Sequence, residues 1–286
     1  MPGHFRHLLS GGLCLFDRPM VHFETGSVVV SEREKIINLP QVITALICVF
    51  AALQLIIEYG PETVAVTMYR AFAFIPARLS LLIDPQSLMP TRSTLDYDAQ
   101  AALEQISATI GGGRWSTLTL VTYAFLHGNW THLAVNALTL AAFGSPVARR
   151  LGDGPFLAFL ACGAVAGALA HFVLYPLDMS PMVGASAGIS AAMAAIVRFA
   201  FAPGAILGGT RLEERGASPP AEPLTQLIGN RSAIMFVLVW FGTNALFGAF
   251  PQSIGSDAAV AWEAHVGGFV FGLLSFGLFE KWARRP

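Results

Sequence analysis

Long apolar runs separated by short polar connections set the architecture of this chain. The runs fall at about 39–58, 118–143, 155–177, 184–201, 232–250 and 258–280. Most approach the ~20 residues that a helix needs to cross a hydrocarbon core of ~30 Å. The fourth run is the short one. At ~1.5 Å per residue its helix covers only about 27 Å. It therefore starts below one surface, reached through the loop Tyr175-Pro176-Leu177-Asp178-Met179-Ser180-Pro181. A further apolar stretch, 64–83, holds Arg70, Pro76 and Arg78 and reads as lying in or near the interface. The pattern predicts an all-α polytopic membrane protein. It has an N-terminal segment 1–38, a six-helix domain 39–280 with a long first outer loop, and a tail 281–286.

Charge supports six crossings. With a cytoplasmic N-terminus, the inner side carries Arg6, Arg18, Arg33, Lys35, Arg149, Arg150, Arg198, Arg211, Arg215, Arg231, Lys281, Arg284 and Arg285. The outer side carries Arg70, Arg78, Arg92 and Arg114. Thirteen cations against four is a strong positive-inside bias, and it puts both termini on the cytoplasmic side; the expected location is a bacterial inner membrane. A seventh crossing at 64–83 would weaken it. Apolar residues are 54% of the chain and charged residues 12%, about half the charge of a soluble domain. The net charge of −1 gives no electrostatic footprint for nucleic acid. Cys14, Cys48 and Cys162 form no disulfide framework, and two of them lie in apolar runs, where a buried free thiol is expected. Gly111-Gly112-Gly113 reads as a flexible joint and 202–231 as a solvated linker.

Against this background certain polar residues stand out, because polar groups at membrane depth are expensive and mark function. Ser186 opens the fourth run within Gly184-Ala185-Ser186-Ala187-Gly188, and His265 lies near the start of the sixth. A serine and a histidine are the minimum set for nucleophilic acyl transfer. His132 and Asn136, spaced i, i+4, share one face of the second helix, where their donors can face a developing oxyanion. His127 falls on another face and fixes the start of that helix. Taken alone, each residue has a plainer explanation: a membrane serine usually bonds to its own backbone, and a membrane histidine is usually structural. Gly163 and Gly167, Gly184 and Gly188, and Gly268 and Gly272 are each spaced by four, which permits close helix packing. His171 has no evident partner and reads as structural.

Together these residues resemble the rhomboid family of intramembrane serine proteases. The match is His-x4-His-x3-Asn (His127, His132, Asn136), Gly-x-Ser (Gly184, Ser186) and Ala-His-x-x-Gly-x-x-x-Gly (Ala264, His265, Gly268, Gly272). It covers roughly 118–280 and implies a six-transmembrane-helix rhomboid-like bundle. By this resemblance Ser186 is the nucleophile and His265 its base, and the Ser186 N–H, His132 and Asn136 form the oxyanion hole. The implied activity is endopeptidase cleavage of transmembrane protein substrates within the bilayer, with no metal or cofactor. Three positions depart from the family. Ala187 follows the nucleophile where Gly is usual. Ser190 stands where many members stack a Tyr on the histidine. Leu118 and Thr119 occupy the usual Trp-Arg position.

Other functions fit less well. Four histidines (His127, His132, His171, His265) keep a haem protein in view, but haem does not explain Ser186 or Asn136. There is no His-Glu-x-x-His for a metalloprotease and no Asp within a predicted crossing for an aspartyl protease. A transporter would be expected to hold a charged pair at mid-depth. The main alternative is a catalytically inactive rhomboid-like protein that binds membrane clients, against which the retained Ser186 and His265 argue.

Overall fold

The computed structural model describes residues 39–84, 87, 113–201, 221–249 and 261–284, all within the unit Leu39–Pro286. Residues 1–38, the Gly111-Gly112 part of the joint, most of the 202–231 linker and the outer loop 251–257 lie outside them. The described residues are helical, with one isolated bridge between Phe74 and Met182.

The first crossing, α1 (Gln41–Tyr59), ends at Gly60-Pro61, where the proline cannot continue a helical hydrogen-bond ladder. The 64–83 stretch then forms two short helices, α2 (Glu62–Phe72) and α3 (Pro76–Ile83). Glu62 in the first turn of α2 and Arg70 in the last complement its dipole. Pro76 at the start of α3 supplies the φ that a first helical residue needs. With 11 and 8 residues, neither helix is long enough to cross.

The second crossing begins later than its hydropathy predicts. Residues 118–129 form 3-10 turns and one short helix, α4 (Thr119–Thr122), pinned where the Tyr123 hydroxyl donates to the Ala164 carbonyl at 2.9 Å. The helix proper, α5 (Trp130–Thr139), starts where Asn129 turns extended and its side chain accepts from the His132 N–H at 2.8 Å. This N-cap satisfies an otherwise orphaned donor. It also shows the local role of Asn129, which hydropathy averaging cannot see. A π turn, Leu140–Gly144, carries the helix on into α6 (Ser145–Leu151). Gly152, at φ +74°, ends it, a conformation glycine adopts without a Cβ penalty.

The remaining crossings are α7 (Asp153–Leu174), α8 (Ser186–Val197) and α10 (Arg231–Ala249), followed by α11 (Trp262–Ala283). The short α9 (Leu224–Leu227) precedes α10. Helices α1, α7 and α11 are long and apolar enough to span by themselves, while α8 is the short apolar helix expected.

Glycine brings α7, α8 and α11 together. A Cβ at Gly163 would meet the Ala191 Cβ at 2.7 Å, and one at Gly188 the Leu160 carbonyl oxygen at 2.8 Å. One at Gly268 or Gly272 would fall on the carbonyl oxygens of Ala187 or Ala191. These backbones touch as only small residues permit. Around them Ile43, Phe50, Leu140, Phe156, Phe159 and Phe276 fill the main core. The opposite surface is apolar as well: Leu55, Val173, Met235, Leu238, Leu274 and Leu278 point outward, which suits lipid and not water. Cys48 and Cys162 share this outward surface, correcting the expectation of buried thiols. An apolar run does not say which of its faces is inside.

At the C-terminal end of α11 the buried Glu280 pairs with Arg150 and accepts the Ala221 N–H at 3.0 Å. Arg198 caps nearby carbonyls, donating to Glu222 and Leu273.

Candidate active site

Ser186 is the first residue of α8, so its side chain leaves a helix N-terminus rather than the middle of a turn. The approach to it is fixed residue by residue. Gly184 has φ +119°, a region closed to most side chains, and a Cβ there would strike His132 Nε2 at 2.7 Å. Its N–H donates to the Tyr123 carbonyl at 3.0 Å. Upstream, Phe74 and Met182 exchange two backbone hydrogen bonds of 3.1 and 2.8 Å. The Ala77 N–H donates to Asp178 O at 2.9 Å, and the Ser80 hydroxyl to Pro176 O at 2.6 Å. The segment 74–80 thus clamps the strand-like loop that delivers Ser186. The sequence marks 74–80 only as an apolar stretch broken by proline, and this task was not legible there.

His265 lies in the first turn of α11. Its Nε2 is 2.7 Å from Ser186 Oγ, across 79 residues of sequence. The approach depends on Gly268 seating α11 against the backbone of Ala187. Ala187 itself is accommodated by Gly167: a Cβ at Gly167 would meet the Ala187 Cβ at 2.5 Å. The departure from the usual glycine after this serine is therefore absorbed by α7. On its other side, His265 Nδ1 is 2.7 Å from Asn244 Oδ1, on α10. Asn244 was not among the expected site residues. The available signal was a lone amide within an apolar crossing, which is itself costly at depth.

His132 stands beside Gly184, as the clash with any Cβ there shows. The Gly128 N–H donates to His132 Nδ1 at 3.4 Å, so the proton of the neutral ring sits on Nε2, on the side of Gly184 and Ser186. Asn136 is buried one turn further on, and its Nδ2 donates to the His132 carbonyl at 3.0 Å. That bond uses one of its two amide hydrogens. Asn136 has no direct hydrogen bond to Ser186 or His265 among the described residues.

His127 lies in the loop before α5 and is fully buried. Its ring packs between Phe50 and His132, with centroids 5.2 Å away in each case, and neither ring nitrogen has a hydrogen-bond partner. Its carbonyl accepts the Tyr69 hydroxyl at 2.8 Å. It joins α1 and α2 to the base of His132.

His171 is the residue most at odds with expectation. Far from lacking partners, it lies between two carboxylates, 3.6 Å from Glu263 and 3.8 Å from Asp178. The Glu263 charge also raises the pKa of the neighbouring Tyr175 hydroxyl, aided by a hydrogen bond. These partners come from the loop after α7 and the start of α11, which no local pattern links. Among the described residues no hydrogen bond, ion pair or ring contact joins His171 to Ser186 or to the other three histidines.

The sequence profile of the Rhomboid domain matches residues 114–281, more than half of the chain. Over 80 residues the chain is 34% identical to "Putative rhomboid protease YdcA" of Bacillus subtilis (strain 168). That stretch covers 28% of this chain and 39% of the relative, so the chain spans less than half the length of the protein it resembles.

Proposed function

The chain belongs to the rhomboid family, and from that premise we propose that it is an intramembrane serine endopeptidase working through a Ser186–His265 dyad. The observation that carries this reading is the 2.7 Å approach of His265 Nε2 to Ser186 Oγ. At that distance the ring can take the hydroxyl proton as Oγ attacks a peptide carbonyl. The oxyanion that forms would be met by the Ser186 N–H at the helix terminus, the Nε2–H of His132 and the remaining N–H of Asn136. His265 then gives the proton to the leaving amine, and the acyl bond to Oγ remains. Water, deprotonated by the same ring, hydrolyses it and restores both residues.

The substrates would be transmembrane proteins whose helix ends unwind into an extended strand. Small or helix-breaking residues near the scissile bond favour this, because unpaired backbone is costly in lipid. Access would be lateral, by displacement of α10. Both termini would face the cytoplasm of a bacterial inner membrane.

The test is labelling of the purified full-length protein with a fluorophosphonate probe, beside cleavage of a transmembrane reporter. Wild type should label and cleave, and Ser186→Ala should do neither while remaining folded. An unlabelled, inactive wild type would favour a client-binding rhomboid-like protein. Turnover by Ser186→Ala would remove the serine from the mechanism.

A further inference from the structure

The hydrogen bonds around His265 leave a single consistent assignment of protons. The chain starts at a group that can only accept. Asn244 Nδ2 lies 2.8 Å from the Trp240 carbonyl, so the amide must turn its NH2 there and its Oδ1 toward the ring. Oδ1 is itself an acceptor only, and His265 Nδ1 is 2.7 Å from it, so the Nδ1 of the neutral ring carries the proton. Nε2 is then a bare lone pair, and the Ser186 hydroxyl at 2.7 Å must donate to it. A general base needs that tautomer and no other.

The geometry points to Asn244 as a positioning residue for the reaction. It fixes the tautomer and the plane of His265 from α10. This rests on the Ser186–His265 reading given above. The need for such a residue is visible in the chain itself: position 190, one turn beyond the nucleophile, is a serine with no ring to stack on the imidazole. Asn244 takes hold from the opposite helix. Its own placement is secured by the helix that carries it. Trp240, one turn earlier on α10, stacks on Phe269 of α11 with centroids 4.1 Å apart. Gly248, one turn later, lies so close to Trp262 that a Cβ would meet the indole at 2.8 Å. The amide is thus held between two contacts of α10 with α11, spanning the turn that contains His265.

Two further consequences follow. The aligned amide is neutral, so the ring is oriented without a buried charge, whose desolvation would be costly. And because Asn244 is on α10, the base is fully aligned only when α10 is seated against α11.

The experiment compares wild type with Asn244→Leu, which keeps the volume and removes the acceptor, and Asn244→Asp, which restores an acceptor at the same place. Asn244→Leu should lose about 10–100-fold in kcat with little change in KM, the loss typical when the hydrogen-bond partner that orients a metal-bound histidine is removed. Fluorophosphonate labelling should slow in proportion, and Asn244→Asp should recover most of it. Nitrogen-15 NMR of histidine-labelled protein gives a readout independent of turnover. His265 should show a protonated Nδ1 in wild type and a tautomer mixture in Asn244→Leu. Wild-type kcat and an unchanged tautomer in folded Asn244→Leu would overturn the assignment while leaving the dyad intact. A wild type that neither labels nor cleaves would instead overturn the protease reading, and this inference with it.

Discussion

Several hydroxyls on the spanning helices of this protein bond back to their own helix. Thr139, Ser145, Thr243 and Ser275 each donate to the carbonyl four residues earlier, at 2.6–2.8 Å. Ser186 has no such outlet. As the first residue of α8, it follows a turn whose carbonyls are not stacked in a helix, so its hydroxyl turns to His265. The difference lies in position and not in chemistry, and it leaves the Ser186 hydroxyl free to meet His265. At this scale the dyad and the oxyanion donors should fail differently. His265→Ala should abolish probe labelling as fully as Ser186→Ala, because nucleophile and base act as a unit. Asn136→Ala and His132→Ala should each retain a residue of activity, lowered by about 10²–10³ in rate, since each supplies one donor of several. Labelling rates of the variants measured side by side check this. Wild-type labelling by His265→Ala would require another base.

At the scale of elements, reach across the site depends on how closely α8 and α11 approach. Gly268 and Gly272 rest on the carbonyls of Ala187 and Ala191, and a Cβ at either has no room. The obstacle is backbone, which cannot turn aside as a flexible side chain can. Gly268→Ala should therefore cost stability toward the upper end of the ~1–3 kcal/mol typical of overpacking. It should also reduce cleavage beyond that loss, because pushing α11 outward carries His265 away from Ser186. Gly242→Ala on α10 is the control, since nothing lies within 4 Å of a Cβ there. Thermal unfolding and reporter cleavage of the two variants separate the cases. Equal behaviour of both would mean that helix approach does not set the geometry. The clamp of 74–80 on the loop before Ser186 is the other element-scale device. It makes this segment part of the scaffold that holds Ser186.

For the whole molecule, lipid is the solvent that makes the surface intelligible. Leucine, valine and methionine side chains cover the outside of α1, α7, α10 and α11, while the charged residues Arg150, Arg198 and Glu280 satisfy one another and nearby carbonyls at one end. The cation distribution predicts that this end is cytoplasmic. Single cysteines placed in 1–30, 90–110 and 205–220, with Cys14, Cys48 and Cys162 replaced by serine, test the orientation. A membrane-impermeant thiol reagent added to intact cells should label only the 90–110 group. Labelling at 205–220 would invert the topology.

Local properties of the chain were enough to read the all-helical apolar architecture, the short fourth helix and the 64–83 stretch as too short or broken to cross. Apolar length and the i, i+4 spacing belong to consecutive residues, so Ser186, His132 and Asn136 could be placed on their helices from sequence. The spacing of Gly268 and Gly272 could likewise announce a close helix approach. Tertiary structure alone decided what met across distance. It joined Asn244 to His265, seated Phe74 beside Met182, and set His171 between Asp178 and Glu263. It also fixed the true start of the second crossing at the Asn129 cap and turned Cys48 and Cys162 outward. The physical reason is common to these cases. Hydropathy and periodicity report the face and length of a single helix, whereas a hydrogen bond between helices depends on how their backbones approach, and in this protein glycine sets that approach.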